Sequence, residues 1–188
     1  MKSSKAVSAM VLCGLMTALP VQADPLSGPR SIVLANADGG REVIGRVVFA
    51  PLGDGRSAFT VTLDPRLEEY FLAMRPFRCL TGPTQRLCSF PVEREPQVVS
   101  AGDLVPLEYA LMFMRTAPAS LHINPFNGVY YRMKVVGERI EGQAHDVDMD
   151  PFITPDAVPA ERRTRPLRDA DLSVGDPKSH WLPTLLIE

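Results

Sequence analysis

A short run in the last third of the chain gathers residue types that bind metals or transfer protons. It supplies one imidazole and three carboxylates, from His145, Asp146, Asp148 and Asp150. Carboxylate oxygens suit Ca²⁺ and other hard cations. The run resembles the opening of an EF-hand loop, but Pro151 stands where that loop requires glycine, and no bidentate glutamate follows at the required distance. The run is a candidate metal site, although an extended backbone would leave the aspartates on one solvated face, which is the interpretation we favour.

The same run also suggests a small periplasmic hydrolase or metal-dependent enzyme in which His145 acts with nearby aspartates. However, the chain contains no His-Glu-x-x-His motif, no Gly-x-Ser-x-Gly elbow and no phosphate-binding glycine loop. His122 and His180 lie in no recognisable motif. Because triad partners are often distant in sequence, an enzyme remains the alternative. We assign no catalytic residue and expect no cofactor.

A cluster of arginines forms a second candidate site. Guanidinium groups suit phosphate and carboxylate, because their planar forks donate paired hydrogen bonds. Acidic residues on both sides of the cluster nearly neutralise it, which weighs against anion binding. The segment 161–168 is also a candidate docking surface for a protein-interaction subunit. The arginines concerned are Arg162, Arg163, Arg165 and Arg168.

The first residues of the chain have the pattern of a signal peptide. Lys2 and Lys5 precede an apolar run over 6–19, and a small-residue cleavage site ends at Ala23. We therefore expect residues 1–23 to be removed and the protein to be periplasmic or secreted. No later apolar run is long enough to span a membrane. With 20 basic and 22 acidic residues, the chain also lacks the positive excess of nucleic-acid-binding proteins.

Residues 75–92 predict a disulfide-linked hairpin. Folding this stretch about a turn at 82–85 places Cys79 directly opposite Cys88, at a separation that a disulfide accepts. Signal-peptide removal would leave these two as the only cysteines, and disulfides are typical of exported proteins. The opposed pairs predicted by this register are Thr81 and Arg86, Leu80 and Leu87, Cys79 and Cys88, and Phe77 and Phe90.

The remaining patterns mostly predict strands. Alternating apolar residues on both sides of Gly53-Asp54-Gly55 indicate one hairpin, and Gly137-Glu138 turns another. In the returning strand of the second hairpin, the apolar positions change parity near His145 and Asp146, which predicts a β-bulge there. The run 181–187 is apolar enough to be a closing strand.

The predicted fold is mainly β, with a single antiparallel domain over residues 24–188. We expect a partly closed barrel or a strongly curved sheet, with an open α+β sandwich as the alternative. Helical spacing of leucines predicts one buried helix between Leu104 and Arg115. Asp64-Pro65 predicts the start of one short helix. A Pro- and Arg-rich extended segment covers 150–180.

Three stretches together carry a resemblance: the cysteine hairpin, the run INPFNGVYYRM at 123–133 and the run HDVDMDPF at 145–152. In these the chain resembles small exported proteins of proteobacteria that are uncharacterised. The resemblance implies a periplasmic setting and supplies no reaction, ligand or catalytic residue. The signal-peptide pattern, the disulfide-linked sheet and the missing catalytic motifs favour a non-catalytic periplasmic binding or envelope-associated module. Its partner would be an unknown envelope protein or a small ligand.

Overall fold

The fold was determined from a computed structural model, which describes residues 24–72, 75–92, 96–120, 122, 124–149, 167, 169–173 and 179–188. Several sequence predictions fall outside these residues. They are the signal peptide at 1–23, most of the extended segment at 150–180, the metal-site candidate Asp150, and the arginines Arg162, Arg163, Arg165 and Arg168.

The described residues form one antiparallel sheet of 12 strands, so the mainly β prediction is confirmed. Its order is β4-β5-β6-β8-β9-β10-β12-β1-β2-β3-β7, with β11 paired to β10. The sheet does not close into a barrel, because β4 and β7 are separate edges. The strands are β1 (Gly28–Ala35), β2 (Arg41–Pro51), β3 (Arg56–Leu63), β4 (Glu68–Leu72), β5 (Arg75–Thr81), β6 (Arg86–Ser89), β7 (Val98–Ser100), β8 (Phe113–Thr116), β9 (Gly128–Val136), β10 (Arg139–Val147), β11 (Leu172–Ser173) and β12 (Thr184–Ile187).

Helical structure is limited. One α-helix, α1 (Val105–Ala110), and two single 3₁₀ turns, Pro125–Asn127 and Asp169–Asp171, occur in the described part of the chain. None of the helices in that part has the length and apolarity needed to cross a bilayer.

Both helix predictions need correction. The helix expected between Leu104 and Arg115 stops at Ala110, and the chain then forms β8, because Phe113 and Met114 pack into clusters on opposite faces of the sheet. The helix expected after Asp64 is absent. Asp64 instead begins a tight turn, in which its carbonyl accepts from the Leu67 N–H, and β4 follows at once.

The disulfide hairpin is confirmed. Cys79 and Cys88 are bonded, and β5 and β6 pair in the predicted register from Cys79↔Cys88 to Thr81↔Arg86. The rings of Phe77 and Phe90 stack with their centroids 6.1 Å apart. The two cysteines pack with these rings on one face of the sheet, while Leu87 enters the core on the other.

The predicted bulge in β10 is wrong. Its register with β9 runs unbroken from Arg139 to Val147. The change of parity arises because both faces of β10 are covered: Ala144 belongs to the core on one face, and Val147 to a second cluster on the other. A register shift occurs instead between β1 and β2, where Ile44 is the extra residue. Ile44 is buried, whereas the side chain before it, Val43, is 50% exposed.

Two large clusters contain most of the core, and a smaller one surrounds the disulfide. The inner cluster lies within the curve of the sheet and is built by β1–β3, β6–β10, β12 and α1; its largest fully buried members include Ile32, Leu34, Phe49, Leu107, Leu111, Tyr131 and Ile140. The outer cluster lies on the other face of β8–β10 and contains Tyr109, Met112, Met114, Tyr130, Val147 and Met149. Helix α1 contributes to both.

The closing strand predicted at 181–187 is confirmed as β12, and its position is central. It pairs with β1 on one side and β10 on the other. Ile187, for example, lies opposite both Ile32 and Ile140. β12 therefore joins the two halves of the sheet.

Candidate binding site

The candidate metal ligands of β10 do not converge. Asp146 lies opposite Val129, a member of the inner cluster, so its carboxylate is on the inner face. His145 is its neighbour in the strand and lies on the outer face, because successive side chains alternate. Asp148 follows the strand and is exposed. Within the described ranges, no group of three or more His, Cys, Asp or Glu residues is arranged to hold a metal ion.

Asp146 instead forms a polar cluster with residues from two other segments. Its Oδ1 accepts from Arg115, whose Nη2 is 3.0 Å away, and lies 3.3 Å from Nε2 of His180. The His180 side chain is 3% exposed. Burial lowers the pKa of His180, and the attraction of Asp146 opposes that shift only in part. The imidazole is thus covered and neutral near pH 7, so it is not available to a substrate in solution.

The polar cluster sits beside a second set of contacts that hold the end of the chain. The Gln85 side chain donates to the Ser179 carbonyl and accepts from the Trp181 N–H at 3.1 Å. The Tyr131 hydroxyl donates to the Leu182 carbonyl at 2.8 Å. The Trp181 ring lies against Gly82, where a Cβ would approach Cη2 to 2.3 Å. The turn of the disulfide hairpin therefore anchors the segment that leads into β12.

Two further buried charged side chains also serve the fold. Glu108 is 4% exposed and accepts from the Tyr130 hydroxyl and from the Met133 N–H of β9. Burial raises the pKa of Glu108, while these two hydrogen bonds oppose the shift. Arg86 stacks on the Tyr70 ring at 3.6 Å and donates to the carbonyls of 118 and 120. Each of these side chains thus supplies hydrogen-bond partners to backbone groups of other segments.

A polar groove of about 390 Å³ crosses the outer face of β9, β10 and β12. Arg132, Lys134, Glu141 and His145 line it. Its charges are of both signs, and Lys134 lies directly opposite Glu141 in the β9–β10 ladder. Opposite charges at directly opposed positions of a ladder attract each other. The groove therefore has no clear preference for an anion or a cation.

An uncharged groove of about 260 Å³ lies where the sheet stays open. β3 pairs with β7 only through Arg56–Ala58, so no described strand flanks 60–63 on this side. The uncharged groove separates this edge from the end of β6 and from α1. None of its described lining residues is charged; they are Thr60, Val61, Leu63, Ser89, Pro91, Val92, Gln97, Pro106 and Ala110.

Two polar side chains in the uncharged groove have unused hydrogen-bonding capacity. Neither the Ser89 hydroxyl nor the Gln97 amide is hydrogen-bonded to any described residue. The Gln97 carbonyl, in contrast, accepts from the Phe59 N–H at 3.1 Å. Apolar walls with a few available polar groups are typical of sites that bind small molecules or peptides.

Sequence reasoning missed this groove. Its walls come from three separate stretches, 60–63, 89–97 and 106–110, and each looks like ordinary strand, loop or helix when taken alone. The one signal available in the sequence was that residues 60–63 carry no charge. No family model, curated protein or solved structure matches the chain.

Proposed function

We propose that this protein is a non-catalytic binding module of the periplasm that takes a neutral ligand in the uncharged groove. The signal-peptide pattern of 1–23 and the resemblance to small exported proteins support the periplasmic setting. The Cys79–Cys88 disulfide fits a location outside the cytoplasm.

One observation carries the binding function: two polar side chains of the uncharged groove lack hydrogen-bond partners within the described part of the chain. Ser89 and Gln97 have unused donors and acceptors there. By contrast, Asp146 already pairs with Arg115 and lies beside His180. A polar group in an apolar setting gains most from a ligand that completes its hydrogen bonds. Because the described lining residues carry no charge, a charged ligand would lose hydration there without gaining an ion pair, and this favours a neutral ligand.

Titration with N-phenyl-1-naphthylamine, a neutral apolar fluorophore, tests this proposal. We expect saturable binding with enhanced fluorescence. Gln97→Glu adds a charge to the groove with almost no change of shape, and should weaken binding about tenfold, the effect of 1.4 kcal/mol. The matched control is Gln143→Glu in the polar groove, which should leave the affinity unchanged. The proposal fails if the fluorophore does not bind, or if both variants bind it as the unaltered protein does.

A further inference from the structure

We propose that the Cys79–Cys88 disulfide is a redox switch that controls docking of the segment 179–181. When the disulfide is closed, the segment is held on the turn between β5 and β6; when the disulfide is reduced, the segment is released. The switch lies apart from the uncharged groove and does not depend on the proposed binding function. It rests on three observed features: the contacts of the turn, the position of the disulfide beside it, and the burial of both sulfurs.

The turn between β5 and β6 holds the segment through two residues. The Gln85 amide donates to the Ser179 carbonyl, and its oxygen accepts from the Trp181 N–H at 3.1 Å. The Trp181 ring lies so close to Gly82 that a Cβ at this position would overlap it. Gln85 and Gly82 are themselves joined, since the Gly82 N–H donates to the Gln85 carbonyl at 2.8 Å. Docking of the segment therefore needs both ends of one turn in a fixed relation.

The disulfide restricts this relation, because it lies at the base of the same turn. β5 and β6 pair at three positions, and the linked pair, Cys79 and Cys88, is the one farthest from the turn. A covalent link across so short a loop reduces the conformational freedom of the residues inside it. Reduction removes the link, so the turn residues occupy a wider range of positions. Gln85 then keeps its two contacts with the segment for a smaller fraction of the time.

Burial of the sulfurs makes the coupling act in both directions. Cys79 is 1% exposed and Cys88 is fully buried, so a reductant reaches the disulfide only when the hairpin opens. The docked segment opposes this opening, because Ser179 and Trp181 bind the turn. Coupling free energies are reciprocal. The disulfide thus favours docking, and docking protects the disulfide from reduction.

Closing the switch is a two-electron oxidation of the protein. One S–S bond forms between Cys79 and Cys88, one S–S bond of a disulfide oxidant breaks, and the two thiol protons end on the sulfurs of the oxidant. Such oxidants act on exported proteins, whereas the cytosol keeps thiols reduced. Docking of the segment 179–181 is accordingly completed in an oxidising compartment.

Hydrogen exchange of the ¹⁵N-labelled protein, with and without dithiothreitol, tests the switch. We expect reduction to speed exchange of the Trp181 amide at least tenfold. The amides of Ser31 in β1 and Leu52 at the β2–β3 turn, which are hydrogen-bonded elsewhere in the sheet, should keep their rates. Trp181 is the only tryptophan of the chain, so a shift of its emission to longer wavelength provides a second measure of release. In Gln85→Ala, the Trp181 amide should exchange fast in both redox states.

The rate of reduction by dithiothreitol tests the reverse effect, and this measurement does not require the reduced protein to stay folded. Gln85→Ala should be reduced about tenfold faster than the unaltered protein, because the segment no longer opposes opening of the hairpin. Ile32→Val is the matched control: it destabilises the core at β1 about as much as a lost hydrogen bond does, but it leaves the hairpin and the segment unchanged. Its disulfide should be reduced at the rate of the unaltered protein.

Any of three outcomes overturns the redox switch. The first is that exchange of the Trp181 amide is the same in the oxidised and the reduced protein. The second is that reduction speeds the Trp181, Ser31 and Leu52 amides equally, because the disulfide would then support the whole fold and not this segment. The third is that Gln85→Ala and Ile32→Val are reduced at equal rates.

Discussion

The Nε2 atom of His180 lies 3.3 Å from the Asp146 carboxylate, and this contact ties the segment before β12 to β10. Arg115 from β8 pairs with the same carboxylate, and His145 is the other titratable group that acts on the imidazole. Because burial disfavours the charged imidazole and Arg115 repels it, protonation of His180 should weaken the anchorage of the segment before β12.

We predict that the free energy of unfolding falls as the pH decreases from 7.5 to 5.5. The unfolded chain binds a proton at His180 near pH 6.5, whereas the pKa of the folded imidazole is lower. The unfolded state therefore binds more protons in this window, and acid favours it. Urea unfolding at several pH values measures the slope. His180→Gln should flatten it, whereas the exposed His122→Gln should not; equal slopes in all three proteins would contradict the prediction.

Glu108→Ala should lower the free energy of unfolding by about 3 kcal/mol, because it leaves the Met133 N–H and the Tyr130 hydroxyl buried without a partner. Glu108→Gln should cost less, since an amide oxygen still accepts from one of the two donors. Urea titrations at pH 7.5 measure both. Glu141→Ala is the control: its ion pair with Arg139 is partly exposed, and such pairs contribute less than about 1 kcal/mol. If Glu108→Ala and Glu141→Ala lowered the free energy of unfolding equally, the hydrogen bonds of Glu108 would not contribute the predicted stability.

Replacing both Cys79 and Cys88 with alanine should lower the free energy of unfolding by about 2.5 kcal/mol, the value that chain entropy gives for so short a loop. The two sulfurs are buried with Phe77, so alanine avoids placing a hydroxyl there. Urea unfolding of the unaltered protein with and without dithiothreitol provides the comparison. A reduced protein as stable as the oxidised one would refute the estimate.

Deleting residues 184–188 should abolish cooperative unfolding, because β1 and β10 then lose the strand that lies between them. Thermal unfolding followed by circular dichroism should show no sharp transition. Glu188→Gln serves as the control, since it removes only the exposed ion pair with Arg41 and keeps the backbone hydrogen bonds to Ser31. Its unfolding should remain cooperative, and a sharp transition in the deleted chain would contradict the role given to β12.

Local patterns predicted the disulfide hairpin correctly but failed at both helices. The register of Cys79 with Cys88 follows from a palindrome-like run around one turn, so no distant residue was needed to find it. The bulge was placed in the wrong hairpin because alternation reveals a change of face but not its cause. Beside Ile44 the backbone shifts, whereas at Val147 a second apolar cluster covers the other face. A single sequence does not separate these two cases.

The contacts between distant segments escaped prediction. The sequence predicts Gln85 only as part of a turn, whereas its side chain binds the backbone of Ser179 and Trp181. The uncharged groove likewise joins stretches that share no pattern. In both cases the fold of the whole chain decides which segments meet. Propensity and periodicity describe only a few neighbouring residues, so they do not predict these contacts.

The central place of β12 has a consequence for how the protein acquires its structure. Ile32, in β1, meets its neighbour in β12 only after Ile187 has been synthesised. Until then β1 and β10 each lack the strand that lies between them. Residues 184–187 therefore complete the sheet only after both of its halves have left the ribosome.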